Sequence, residues 1–297
     1  MNKKNGGFAF KMTIFIVIVL LYPPLSDLWK IRNTYHNHKI FRDMISGKYS
    51  TKFKKSLIQN EINSTVILLE KTFQGSFKNI SLEELRTRYK EREDQYYMMR
   101  GFLYFVGSVY NASIHQDFRS AYKSFERAKE ITTSSMIREE SDIQINTMVM
   151  FGIGTDANPA KAFRNSLHYK TDSTELQQYN QYLLGYAYLF GKGTEQNTTK
   201  AYEHLKNAGK RAYPLLAQMY ASGIGVPKDM KKALELIKGA GNSDLATAIL
   251  YLSDNQYTKG KYFLKKCMPK NQKCQKLYRA IYKYDFYDKI LNMISYI

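Results

Sequence analysis

Between residues 97 and 267, apolar positions recur at three- and four-residue steps, in short runs broken by glycine. Leu184, Gly185 and Tyr188 fall at i, i+1 and i+4, which gives one packing face with a small residue for close approach. After Gly191 and Gly193 the pattern resumes, with Ala201 and Leu205 four residues apart, and Ala233 and Ile237 repeat that step. The pattern predicts helix, glycine loop, helix. Upstream, Ser81 followed by Glu84 is a capping-box signature ahead of an apolar face of Leu82, Leu85 and Tyr89, and a further helix is expected around Leu57 to Phe73. Residues 26–96 therefore read as a helical N-terminal cap region. The tail, with Leu277, Ile281 and Tyr284 at helical spacing, places C-terminal capping helices over 268–297.

The helical units repeat. Residues 182–210, YLLGYAYLFGKGTEQNTTKAYEHLKNAGK, align with residues 214–242, PLLAQMYASGIGVPKDMKKALELIKGAGN. At an offset of 32, Gly191 and Gly193 match Gly223 and Gly225, Lys200-Ala201 match Lys232-Ala233, and Tyr188 matches Tyr220. A third copy carries Gly152, Gly154 and Lys161-Ala162 with the same ten-residue step from first glycine to alanine. A weaker copy lies around Gly107 and Ala121, with an expanded loop, and a degenerate one without the glycine pair covers 243–267. The six glycines end the first helix of each unit and allow positive φ in a tight connection. Asp229 stands where the second helix should start and is suited to cap it. One such hairpin cannot bury its apolar face alone, whereas a stack of them can. The chain thus reads as all-α, an α/α superhelical solenoid with its array over 97–267.

This pattern, LxGxxYxxGxGxxxDxxKA, resembles the Sel1-like repeat family, which is related to tetratricopeptide repeats. The resemblance is strongest over 182–242, extends to 141–170, and fades over 97–130 and 243–267. It implies a binding scaffold rather than an enzyme, and it names no partner. The aromatic usual in the second helix is Tyr202 in one copy, Phe163 in another, and is replaced by Leu234 in a third.

The same repeat disposes of a nucleotide-binding reading of Gly-Lys-Gly-Thr at 191–194. A phosphate-cradling loop needs G-x-x-x-x-G-K-[ST] between a strand and a helix. Here five residues separate Gly185 from Gly191, Thr194 is displaced by Gly193, and a helix precedes.

Charge narrows the partners. The 297 residues carry 45 basic and 26 acidic side chains, a formal net charge of +19, which favours an anionic partner surface. An acidic protein is the partner expected, with the concave face of the array as its groove, lined by Tyr182, Tyr186, Gln218 and Tyr220. Basic residues crowd both ends: eight against two acids over 25–60, and ten against two over 256–290. The first cluster could sit on anionic headgroups. The Tyr-rich second could stack on single strands, but an exported body disfavours nucleic acid.

Export is suggested by Lys3, Lys4 and Lys11 ahead of the apolar run Met12–Tyr22, stopped by Pro23 and Pro24. Residues 1–25 read as a signal peptide or an uncleaved signal anchor, with the body facing the periplasm or beyond. Cys267 and Cys274 could close a small disulfide loop in that compartment, or remain thiols in a reducing one.

Candidate chemistry is thin. His36, His38, His115, His168 and His204 form no metal-ligand spacing, and no nucleophile elbow or cofactor motif appears. The acidic runs at 91–95 and 138–142 read as solvated faces or caps. Asn63, Asn79, Asn111 and Asn197 head formal glycosylation triplets. The function expected is a non-catalytic protein-binding scaffold of the bacterial envelope, such as an immunity protein against an antibacterial effector. The alternative is a membrane-anchored adaptor that regulates a membrane enzyme or signalling system.

Overall fold

The computed structural model describes residues 50–241, 244–254, 256–269, 271, 274, 275 and 278. The expected leader (1–25) and most of the expected C-terminal helices lie outside these residues. Among the described residues there are twelve α-helices and no strand. A long helix α1 (Ser50–Phe73) and a short α2 (Leu82–Arg88) precede five hairpins. These pair α3 (Glu93–Val106) with α4 (Phe118–Ile131), α5 (Ser135–Phe151) with α6 (Pro159–His168), and α7 (Thr174–Phe190) with α8 (Thr198–Lys206). Then come α9 (Tyr213–Ser222) with α10 (Met230–Gly239), and α11 (Asp244–Ser253) with α12 (Tyr257–Cys267). The capping box at Ser81 is formed in both directions: the Glu84 amide donates to Ser81 Oγ, and the Ser81 amide to Glu84 Oε2.

Within each hairpin the first helix (A) packs on the second (B), and each B helix packs on the next A helix. Successive A helices also touch, directly or through a 3-10 turn at Gly209–Ala212 between α8 and α9, while successive B helices make no comparable contact. The stack therefore curls toward its A helices, as expected of a superhelical solenoid. Gly185 allows the A–B approach in the third hairpin, since a Cβ there would come within 2.6 Å of the Leu205 side chain.

The two loop glycines do different work. The first of each pair, Gly152, Gly191 or Gly223, is the left-handed cap of its A helix, with φ of 60°, 60° and 68°. The second lets hairpins meet. A Cβ on Gly154, Gly193 or Gly225 would lie 2.0, 2.2 or 2.5 Å from the carbonyl oxygen of Phe118, Pro159 or Thr198, the first residue of the preceding B helix. Each B helix is capped in turn: Asp117, Asn158, Asn197 and Asp229 accept the amides of Ser120, Lys161, Lys200 and Lys232.

The repeat length changes in a quantised way. From the cap Asn158 to Asn197 is 39 residues, and from Asn197 to Asp229 is 32. The seven missing residues come from the A helix: α7 has 17 residues and α9 has 10. Seven residues are close to two turns, so the buried face keeps its phase.

The loop geometry predicts unequal costs for alanine. In Gly191→Ala the added carbon has no neighbour closer than 3.5 Å, so only the left-handed strain of about 1 kcal/mol is expected. Gly193→Ala adds a backbone clash to that strain and should cost about 3 kcal/mol or more. Urea unfolding of the two variants measures the difference, and equal costs would contradict the assigned roles.

Candidate functional site

The residues expected to line the partner groove are mostly inside the protein. Tyr182, Tyr186 and Tyr220 are only 6%, 3% and 7% exposed, and so form packing rather than a free groove wall. Tyr186 sets its ring edge-on to Phe151 at 5.0 Å and against Phe190 at 4.6 Å. The hydroxyls of Tyr220 and Tyr202 lie 2.9 Å apart and join the third hairpin to the fourth. Gln218 is half-buried and donates to Ser222 Oγ at 3.3 Å. A helix in this stack is packed by its B partner and by neighbouring A helices, which leaves little free surface. In the A helix carrying two of these tyrosines, the inner side is covered as well.

That cover is α1. Besides packing on α3, the first helix of the array, α1 reaches residues far along the chain. Glu61 Oε2 accepts the Tyr179 hydroxyl at 2.7 Å and the Arg211 guanidinium at 2.8 Å. Arg211 in turn lies 3.9 Å over the Tyr179 ring. Glu61 and Tyr179 are buried, and Arg211 stands on the 3-10 turn just before the shortened α9. Burial and the nearby Glu61 anion hold the Tyr179 phenol well above its ordinary range, so it is a hydrogen-bond donor throughout the physiological range. Burial likewise raises the Glu140 carboxyl on α5, against the opposing pull of its Gln144 hydrogen bond and of Arg211. The run at 138–142 is thus more than a solvated face, because Glu140 lies against this cluster and Glu139 accepts the Thr171 hydroxyl at 2.7 Å. Single charges inside helices give no local pattern, so Glu61 and Arg211 left no signal in the sequence.

A second surface was readable in the repeat. Lys161, Lys200, Lys232 and Lys259 occupy the same position, three residues after the cap of successive B helices, and all four are exposed. Three of them lie over the A-helix tyrosine of their own hairpin: Lys200 over Tyr188 at 5.4 Å, Lys232 over Tyr220 at 4.6 Å, and Lys259 over Tyr251 at 5.3 Å. The contact fixes the lysine stem against the ring and leaves the row of charges on one edge of the array. An open cleft of about 510 Å³ between the first and second hairpins is lined by both signs of charge, Arg119 and Lys123 together with Glu126 and Asp156.

The remaining candidates are accounted for locally. His204 Nδ1 pairs with Gln181 Oε1 at 2.7 Å and its ring stacks on Tyr188, while burial pushes its pKa down. Asn111 is fully buried and donates to the carbonyls of Phe77 and Ile80, so its triplet is closed to modification in the folded chain. Asn197 serves as the α8 cap. His36 and His38 lie outside the described residues. Cys267 and Cys274 are joined by a disulfide. Among the described residues no group of three His, Cys, Asp or Glu side chains is placed to hold a metal, and no helix is long and apolar enough to cross a membrane.

The Sel1 repeat family model matches residues 148–165, 181–213 and 210–240, the hairpins whose loops carry both glycines. These residues are Sel1 repeats. A Sel1 repeat protein of Oxalobacter formigenes is 16% identical, with a TM-score of 0.45, over 68% of this chain and 59% of that one. The protective antigen c5321 of uropathogenic Escherichia coli, described as an SLR fold, is 18% identical, with a TM-score of 0.45, over 75% of this chain and 49% of that one. The chain thus spans about six-tenths and about half of these two proteins. No curated protein matches it. Sel1 repeats are a protein–protein interaction scaffold.

The inner-face cluster makes a pH-dependent prediction. Because the folded Glu140 carboxyl titrates above its ordinary value of 4.5, folding takes up a proton between the two values. Its burial cost is absent below the ordinary value and is complete above the raised one. Glu140→Gln should therefore stabilise the protein at neutral pH, and the gain should vanish below about pH 4.5. Denaturant midpoints at pH 7 and pH 4 test this; a loss at pH 7 would mean that attraction to Arg211 outweighs burial.

Proposed function

We propose that this Sel1-repeat protein is a non-catalytic scaffold of the bacterial cell envelope that captures a protein with an acidic surface. The observation that carries the reading is the row Lys161, Lys200, Lys232 and Lys259, repeated along one edge of the array on a chain of net charge +19. Cations at fixed spacing on a rigid stack steer a complementary anionic surface and set its register. An envelope location is supported by the basic-then-apolar N-terminal sequence and by the Cys267–Cys274 disulfide, which persists in oxidising compartments. Neutralising an antibacterial effector is a role that suits such a basic binder.

Capture from envelope extract by the full chain tests the reading. One stoichiometric partner is expected, released as salt is raised and lost with Lys161→Ala, Lys200→Ala and Lys232→Ala combined. Each substitution alone should change stability by only about 0.5–1 kcal/mol. Capture that ignores both salt and the triple substitution would reject the lysine edge as the docking surface. Rescue of a host from its captured partner's toxicity would establish the immunity role, and a harmless partner would exclude it.

A further inference from the structure

α1 is built like a bound ligand. Ile58, Glu61, Ile62, Thr65, Val66 and Leu69 follow at alternating three- and one-residue steps, the spacing of one helix face. Glu61, Ile62, Thr65 and Leu69 are buried against the array, and Ile58 and Val66 are half-buried. The other side is open, with Ile67 exposed. On the array side, the polar receptor for this helix is complete: the Tyr179 hydroxyl and the Arg211 guanidinium both converge on one carboxylate oxygen. The carboxylate in turn needs these donors, because Glu61 is buried and the half-buried Arg211 guanidinium would otherwise leave its charge partly desolvated and unpaired.

The join to the rest of the chain is narrow. α1 ends at Phe73 and is followed by Gln74 with φ of +47° and Gly75 with φ of +83°. Among the described residues Gln74 is the one non-glycine with positive φ, a conformation that costs an L-residue strain. Just beyond, the chain is fixed, since Asn111 Nδ2 holds the carbonyls of Phe77 and Ile80 at 2.7 and 2.9 Å. Toward the array, α1 is thus joined through one strained turn to a fixed base.

We infer that the inner face at α7 and the Gly209–Ala212 turn is a docking site for an amphipathic helix of a partner protein bearing one carboxylate in an aliphatic stripe, and that α1 occupies it in cis until displaced. Charge complementarity selects the occupant: Arg211 and Tyr179 accept a Glu-bearing helix and exclude one with a basic residue at that place. The inference rests on the reading of the chain as a protein-binding scaffold, but it uses a different surface from the lysine edge.

The test uses the full chain and a fluorescent peptide of residues 50–73. Glu61→Lys sets a second cation against Arg211 and should free α1, seen as faster amide exchange confined to residues 58–73. The peptide should then bind the variant at least about 100-fold more tightly than the unaltered chain, in which the tethered helix competes at millimolar effective concentration. A peptide carrying Glu61→Lys should not bind, and adding Arg211→Ala to the variant should weaken the original peptide by about 100-fold. If Glu61→Lys fails to fold, Leu69→Ala loosens α1 with the receptor charges intact and should admit the peptide in the same way. Loss of protection spreading through α5 to α8 in both variants would overturn the inference, and so would a peptide that binds them no better than the unaltered chain. The assay needs no cellular partner, so failed capture at the lysine edge leaves its outcome unaffected.

Discussion

One hydrogen bond closes every hairpin of the array. The cap amide of the B helix donates back to an A-helix carbonyl: Asp117 to Tyr104, Asn158 to Val149, Asn197 to Tyr188, Asp229 to Tyr220, and Gln256 to Tyr251, at 2.8–3.0 Å. A helix end leaves its last carbonyls without partners, and burying them so would be costly. In the glycine-paired hairpins the neighbouring carbonyls of Met148, Ala187 and Met219 accept Ile153, Lys192 and Ile224 across the left-handed cap. Turn and helix start are therefore one unit, and the second glycine lets that unit lie directly on the hairpin before it. The fifth hairpin lacks the glycine pair yet keeps the bond, which explains how a degenerate sequence still closes.

The array was legible because its constraints are local and recur. Gly191, Gly193, Lys200 and Ala201 each answer a need met again 32 residues later, and each need involves the same hairpin or the one next to it. The partner surface was not legible by the same means. Periodicity marks a buried face but cannot say how many faces are buried. In α7 ten of seventeen residues are buried, so Tyr182 and Tyr186 had no free side to present. The connection from B to the next A helix was readable in principle, since in Thr132-x-Ser134 and Thr171-x-Ser173 the Ser backbone amide donates to the Thr hydroxyl ahead of a capped helix.

Long-range electrostatics were the hidden part. Glu61 and Arg211 lie 150 residues apart, and nothing around either one in the sequence distinguishes it from a solvated charge. Arg211 sits where the repeat length changes. Removing two turns from the start of α9 keeps its buried face in phase, and the tighter turn before it carries Arg211. A sequence comparison of hairpins registers that change only as a shorter spacing.

This pairing alters how the array should behave mechanically. In a stack where each hairpin touches only its neighbours, stability is nearly a sum of local terms and the ends fray independently. α1 breaks that rule by tying the N-terminal region to the turn between the third and fourth hairpins through one desolvated carboxylate. An ion pair with one buried partner contributes little net energy compared with an apolar contact, but losing Arg211 would leave the buried Glu61 charge stranded. The inner face is therefore held in one arrangement by an interaction that is costly to break and simple to replace with another carboxylate. That combination suits a surface whose occupant is exchanged, and a wholly apolar contact would not confine the exchange to helices of one chemistry.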